Sequence, residues 1–117
     1  MSEPPGALRP EDSNLDAFTN LTLLALSEDD DTRLRQLGQV VMAPIFVEKF
    51  IDDIRPGNEW NDVLYLAARR LIELTPELRY LMPSLEDKKA HVKKAGKPFR
   101  KLVRVERTGG QVSFKPR

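Results

Sequence analysis

The chain has 117 residues, 40% of them apolar and 32% charged, a balance that builds one folded domain and not a disordered segment. It has no cysteine and one histidine, which excludes disulfides, thiolate metal sites and thiol nucleophiles. Net charge is +1, yet residues 88–117 hold eleven Lys or Arg against one acid (+10), while residues 1–87 hold eight against seventeen (−9).

The first residues, MSEPPGALRPEDSN, lack the basic and apolar regions of a secretory leader, and no apolar run approaches a membrane span. A cytoplasmic protein with no membrane association is expected. Residues 1–12 carry three prolines and read as a flexible N-terminal arm. Ser13 and Asp16 have capping-box spacing, and Leu15, Phe18, Leu21, Ala25 and Leu26 share one helical face. A helix is expected over about 14–26, with a buried strand at LTLLAL as the alternative. The acids Glu28 to Asp31 suit a second helix start, because they face the positive end of the helix dipole. A calcium loop does not fit them, since the alternating ligands and glycine are missing.

Leu34, Leu37 and Val41 mark the next apolar stripe, which Pro44 either kinks or restarts as a new helix. Phe46, Val47, Phe50, Ile51 and Ile54 continue it until Pro56-Gly57. Asn58 is the expected cap of a further helix, with Trp60, Val63, Leu64, Ala67, Ala68, Leu71 and Leu74 facing inward. Its Asp62, Leu66, Arg69, Arg70 and Glu73 face mostly outward. Thr75-Pro76 ends that helix and starts a turn carrying Leu78, Leu81 and Met82, which Pro83 breaks. Ser84 and Asp87 then suggest a capping box for a basic helix over about 85–95, closed by Gly96 and Pro98. Finally, FRKLVRVER and QVSFK flank Thr108-Gly109-Gly110, an alternating pattern with a glycine turn that predicts a β-hairpin. Val103, Val105, Val112 and Phe114 take one face; Leu102, Arg104 and Glu106 take the other. The fold class is mainly α: a small helical domain of four to five helices over 13–96, followed by a basic β-hairpin or tail over 97–117.

No nucleophile elbow, phosphate-binding glycine loop or zinc-protease motif is present. Asp52 and Asp53 point about 100° apart on a helix and form no carboxylate pair. His91, in a charged stretch, reads as a surface residue. No enzyme activity, metal or cofactor is therefore expected. The basic segment is the candidate with a mechanism, because phosphate contacts need cations and no fixed spacing. Its candidate contacts are Lys89, Lys93, Lys94, Lys97, Arg100, Lys101, Arg104 and Arg107, with Lys89 and Lys93 stacked one helical turn apart. Phe99 and Phe114 offer rings for stacking on bases, at least one being expected to anchor the hairpin instead.

The expected function is binding of DNA or RNA through the C-terminal helix and hairpin, within a larger assembly where the acidic body docks on protein. The alternative is a protein-interaction module, an adaptor, assembly subunit or inhibitor, whose hairpin docks on a partner or an acidic protein surface. A third possibility is homo-oligomerisation, with the acidic body of one copy meeting the basic tail of the next.

Overall fold

A computed structural model describes residues 17–27, 30–40, 43–109 and 111–117, with residues 17, 18, 107, 108, 111 and 112 described as backbone only. The expected arm, the capping pair Ser13 and Asp16, and Leu15, Glu28, Asp29 and Val41 fall outside those residues. The described helices are α1 (Ala17–Ser27), α2 (Asp31–Gly38), α3 (Ala43–Asp53), α4 (Asn61–Leu74), α5 (Met82–Glu86) and α6 (Phe99–Leu102). Tight 3-10 turns span Pro76–Leu81 and Lys89–His91, and strands β1 (Val103–Thr108) and β2 (Gln111–Pro116) form an antiparallel hairpin. The expected mainly helical architecture with a C-terminal hairpin is the one observed.

Each boundary has a local cause. LTLLAL is helical, and its Leu23, Ala25 and Leu26 are buried. Within the acidic run, Asp30 caps α2: its Oδ1 accepts from the amides of Thr32 (3.0 Å) and Arg33 (3.2 Å). Pro44 is the second residue of α3, so it opens a new helix at a position where its missing N–H costs nothing. Thr75 ends α4 in an extended conformation, and Pro76 leads the 3-10 turn that buries Leu78 and Leu81.

α4 is the element the others cover, packing against α1, α2, α3, α5, α6 and the Pro76–Leu81 turn. The inward stripe is buried as expected, except for half-buried Leu74. Tyr65 and Ile72, off that stripe, are fully buried as well, because the turn and α5 cover the flank of α4. Phe99, Leu102, Val103 and Phe114 join the same core cluster, so the hairpin's apolar face packs on this chain's own helices.

Four expectations are corrected. Asn58 does not cap α4: its Oδ1 accepts from the Trp60 amide at 3.0 Å, an Asx-turn placed before the helix. Pro83 does not break the turn before it: that turn ends at Leu81 and runs directly into α5, where Pro83 sits in the first turn. Ser84 and Asp87 form no capping box: Ser84 is inside α5, and the Asp87 amide donates to the Pro83 carbonyl. The helix over 85–95 is absent: α5 stops at Glu86, and Val92 is extended at φ −110°, ψ 125°.

Gly38, the last residue of α2, lies against Thr75, and an added Cβ would overlap the Thr75 Oγ1. That hydroxyl is buried with no hydrogen-bond partner among the described residues. Gly38→Ala should lower stability by about 1–3 kcal/mol through overpacking. Adding Thr75→Ala should recover most of the loss in urea denaturation, since it removes the clashing oxygen without breaking a bond. Tyr65 carries a second prediction. Burial raises its phenol above the usual range, and the Glu86 carboxylate, which accepts its O–H at 3.0 Å, raises it further. The folded state thus favours the protonated phenol, so this contribution is complete below about pH 10 and is lost as pH rises through the folded-state value. Wild type should lose stability above about pH 10 more steeply than Tyr65→Phe when denaturation midpoints are compared.

Candidate nucleic-acid interface

Residues 88–101 contain seven cations and no acid. They do not form a long helix, for two reasons. The only apolar residues between Glu86 and Pro98 are Ala90, Val92 and Ala95, too few for a buried stripe. A helix would also stack Lys89 on Lys93, a like-charge pair one turn apart. The chain instead takes a short 3-10 turn, and its backbone is captured by the start of α4.

Asn61 makes that capture. It is 7% exposed and fully engaged with backbone. Its Oδ1 accepts from the Arg55 amide (3.1 Å), and its Nδ2 donates to the carbonyls of Arg55 (2.8 Å) and His91 (3.3 Å). The next residue, Asp62, accepts the Lys93 amide at 2.8 Å. Two adjacent side chains of α4 thus hold the loop after α3 and the basic segment together. Lys89 and Lys93 flank this anchor, on the 3-10 turn and just past extended Val92, so they do not stack as expected.

The segment then re-enters the core. Pro98 is extended at φ −66°, ψ 156°, and the Lys101 amide donates to its carbonyl at 2.8 Å, closing the single turn of α6. Phe99 and Leu102, three residues apart, are both buried, while Arg100 and Lys101 are exposed. FRKL is therefore helical, which corrects its place in the first strand and moves Leu102 from the polar face to the core. An apolar pair at i, i+3 outweighs the alternation that continues after it.

The hairpin register pairs Val103 with Pro116, Val105 with Phe114, and Arg107 with Val112, across a two-residue turn. Gly109 has φ +57°, a conformation that favours glycine. Val103 and Phe114 are buried and Val105 is half-buried; Arg104 and Lys115 are exposed. Arg104 Nε meets Glu106 Oε1 at 3.1 Å, so this cation is already paired. Only the backbone of Arg107 lies within the described residues.

Lys89, Lys93, Lys97, Arg100 and Lys101 are exposed, and Lys94 is half-buried. None of the seven cations of 88–101 forms an ion pair with Asp or Glu among the described residues. Lys94 Nζ donates to the Arg117 carbonyl at 3.4 Å. Arg117 is itself tied to the start of the hairpin, its amide donating to the Leu102 carbonyl (2.9 Å) and its Nε to that of Val103 (3.3 Å). Lys93, Lys94 and Arg117 share a surface depression of about 640 Å³ with Glu59 and Asp62. Sequence reasoning missed Arg117 and Asn61. The one available sign for Asn61 was a second asparagine in the turn that Asn58 opens.

Among the described residues no group of three or more His, Cys, Asp or Glu could hold a metal ion, and no helix is long and apolar enough to cross a membrane. No protein-family model, curated protein or solved structure matches this chain.

Asn61→Ala should release three backbone groups at once, two of them within the Arg55 loop, and lower stability by about 2–3 kcal/mol. The Val92 and Lys93 amides should exchange with solvent faster in this variant, which native-state hydrogen exchange would register. Unchanged protection at both amides would show that Asn61 is not needed to hold the segment and that Asp62 suffices.

Proposed function

We propose that this protein is a non-enzymatic nucleic-acid-binding protein that contacts phosphates through residues 88–101. The observation that carries the reading is the run of seven cations, five of them exposed and all of them without an acidic partner among the described residues. Cations held near one another repel, and a chain of phosphates relieves that repulsion while releasing its own counterions. Of the hairpin cations, Arg104 contributes less, because Glu106 already neutralises it. The acids of α3, Glu48, Asp52 and Asp53, leave that face suited to a protein neighbour in a larger assembly.

A protein-docking reading rests on a different observation. The sheet has only two strands, so β1 and β2 each keep one edge without a strand neighbour among the described residues. An extended peptide could pair there. A pull-down whose product survives nuclease treatment and is lost on removal of residues 98–117 would favour this reading.

Titrating the full chain against labelled DNA and RNA over a salt series tests the first reading. Binding at about 50 mM salt should weaken steeply as salt rises, with a log–log slope no steeper than about −6 on duplex, the limit for seven contacts. The variant Lys89→Gln/Lys93→Gln/Lys97→Gln/Lys101→Gln should bind about tenfold or more weaker while keeping its thermal midpoint. Absence of binding at low salt, or a slope near zero, would sink the proposal.

A further inference from the structure

We infer that the basic surface reads the sugar–phosphate backbone alone and is blind to the bases, an inference that rests on the nucleic-acid-binding reading above. Proteins that hold unpaired bases stack them on exposed aromatic rings, and each stacked ring strengthens binding by roughly 5- to 150-fold. This segment has no exposed Phe, Tyr or Trp to give. Phe99 is 6% exposed and Phe114 1%, and both belong to the core cluster. Trp60 and Tyr65 are buried as well.

Tyr80 is exposed at 61% but belongs to the other end of the fold. Its neighbour Arg79 lies beside Ile72 and Glu73 in the last part of α4, whereas the basic segment is tied to Asn61 and Asp62 in the first turn. α4 has 14 residues, so about 21 Å of helix separates its two ends. Within the segment, His91 is the one exposed ring.

Two further features point the same way. Six of the seven cations are lysines, compact point charges without the planar fork that fixes a guanidinium on a base edge. Several backbone donors are also occupied. The amides of His91 and Val92 donate to Lys88 and Lys89, that of Lys93 to Asp62, that of Lys97 to Lys94 and that of Lys101 to Pro98. What the segment chiefly presents to a partner is positive charge on long side chains. Such a surface follows phosphate density, which is higher on a duplex than on a single strand.

The test measures anisotropy of four labelled DNA probes of about 20 nucleotides at about 50 mM salt: two duplexes of unrelated sequence, one single strand, and that strand with its bases removed. The full chain should bind the two duplexes within about twofold of each other and at least as tightly as the single strand. The abasic strand should bind within about twofold of the intact one, and His91→Ala should leave all four affinities unchanged within the same margin. An intact strand bound about tenfold or more tighter than its abasic counterpart would overturn the inference while leaving nucleic-acid binding standing. A tenfold preference between duplexes would do the same. If no probe binds, both readings fall.

Discussion

The start of α4 carries the constraint on which the candidate surface depends. Asn61 is a buried amide with both ends engaged, and every partner is a backbone group from another part of the chain. Buried polar groups of this kind are costly when unpaired, so the arrangement is self-consistent only when the Arg55 loop and the His91 turn are both in place. With Asp62 holding the Lys93 amide, two successive residues decide where the basic chain crosses the fold. Because α4 is packed by nearly every other element, the anchor is rigid, and the residues hung from it inherit a defined position.

From that anchor the chain meets the core twice more. Phe99 and Leu102 enter together on the one turn of α6, and Val103 and Phe114 follow on the hairpin. A lone hairpin is marginal in water, so the burial of its valine face is what makes it an ordered element. Arg117 returns to the same place, bonded to the carbonyls of Leu102 and Val103. The C-terminal third of the chain is thus stitched to the helices at both ends, and the hairpin's other face is left with Arg104, Glu106, Ser113 and Lys115.

The elements legible in the sequence were those whose signal is local and redundant. The α4 stripe has seven apolar positions and a clear C-terminal boundary, and Pro44 and Thr75-Pro76 can be read from sterics alone. The hairpin turn was legible because Gly109-Gly110 sits between alternating valines. Where reading failed, a distant group decided the outcome. The 85–95 stretch lacks a helix's apolar stripe, and the groups that take its backbone instead, Asn61 and Asp62, lie about thirty residues away in sequence. FRKL alternates well enough for a strand, and only the presence of a core beneath both Phe99 and Leu102 turns it into a helix. The candidate cations were easy to find, since composition alone reveals them, but which of them are already engaged was not. Arg104 meets Glu106 two residues along the same strand face, and Lys94 meets Arg117 across twenty-three residues.

That last distinction separates two kinds of charge within one basic run. Lys94 and Arg117 help close the fold, so part of their hydrogen-bonding capacity is spent inside the molecule. Lys89, Lys93, Lys97, Arg100 and Lys101 have no such duty: the segment is held by amide donors, by Asn61, and by Val92, Ala95, Phe99 and Leu102 on the core. Exposed ion pairs contribute under about 1 kcal/mol each, and these five side chains do not have even that among the described residues. A structural edge places its charges beside opposite charges. Here the backbone and the apolar residues do the holding, and these five side chains are left exposed. Under the nucleic-acid-binding reading proposed above, a polyanion is the partner that these exposed charges would meet.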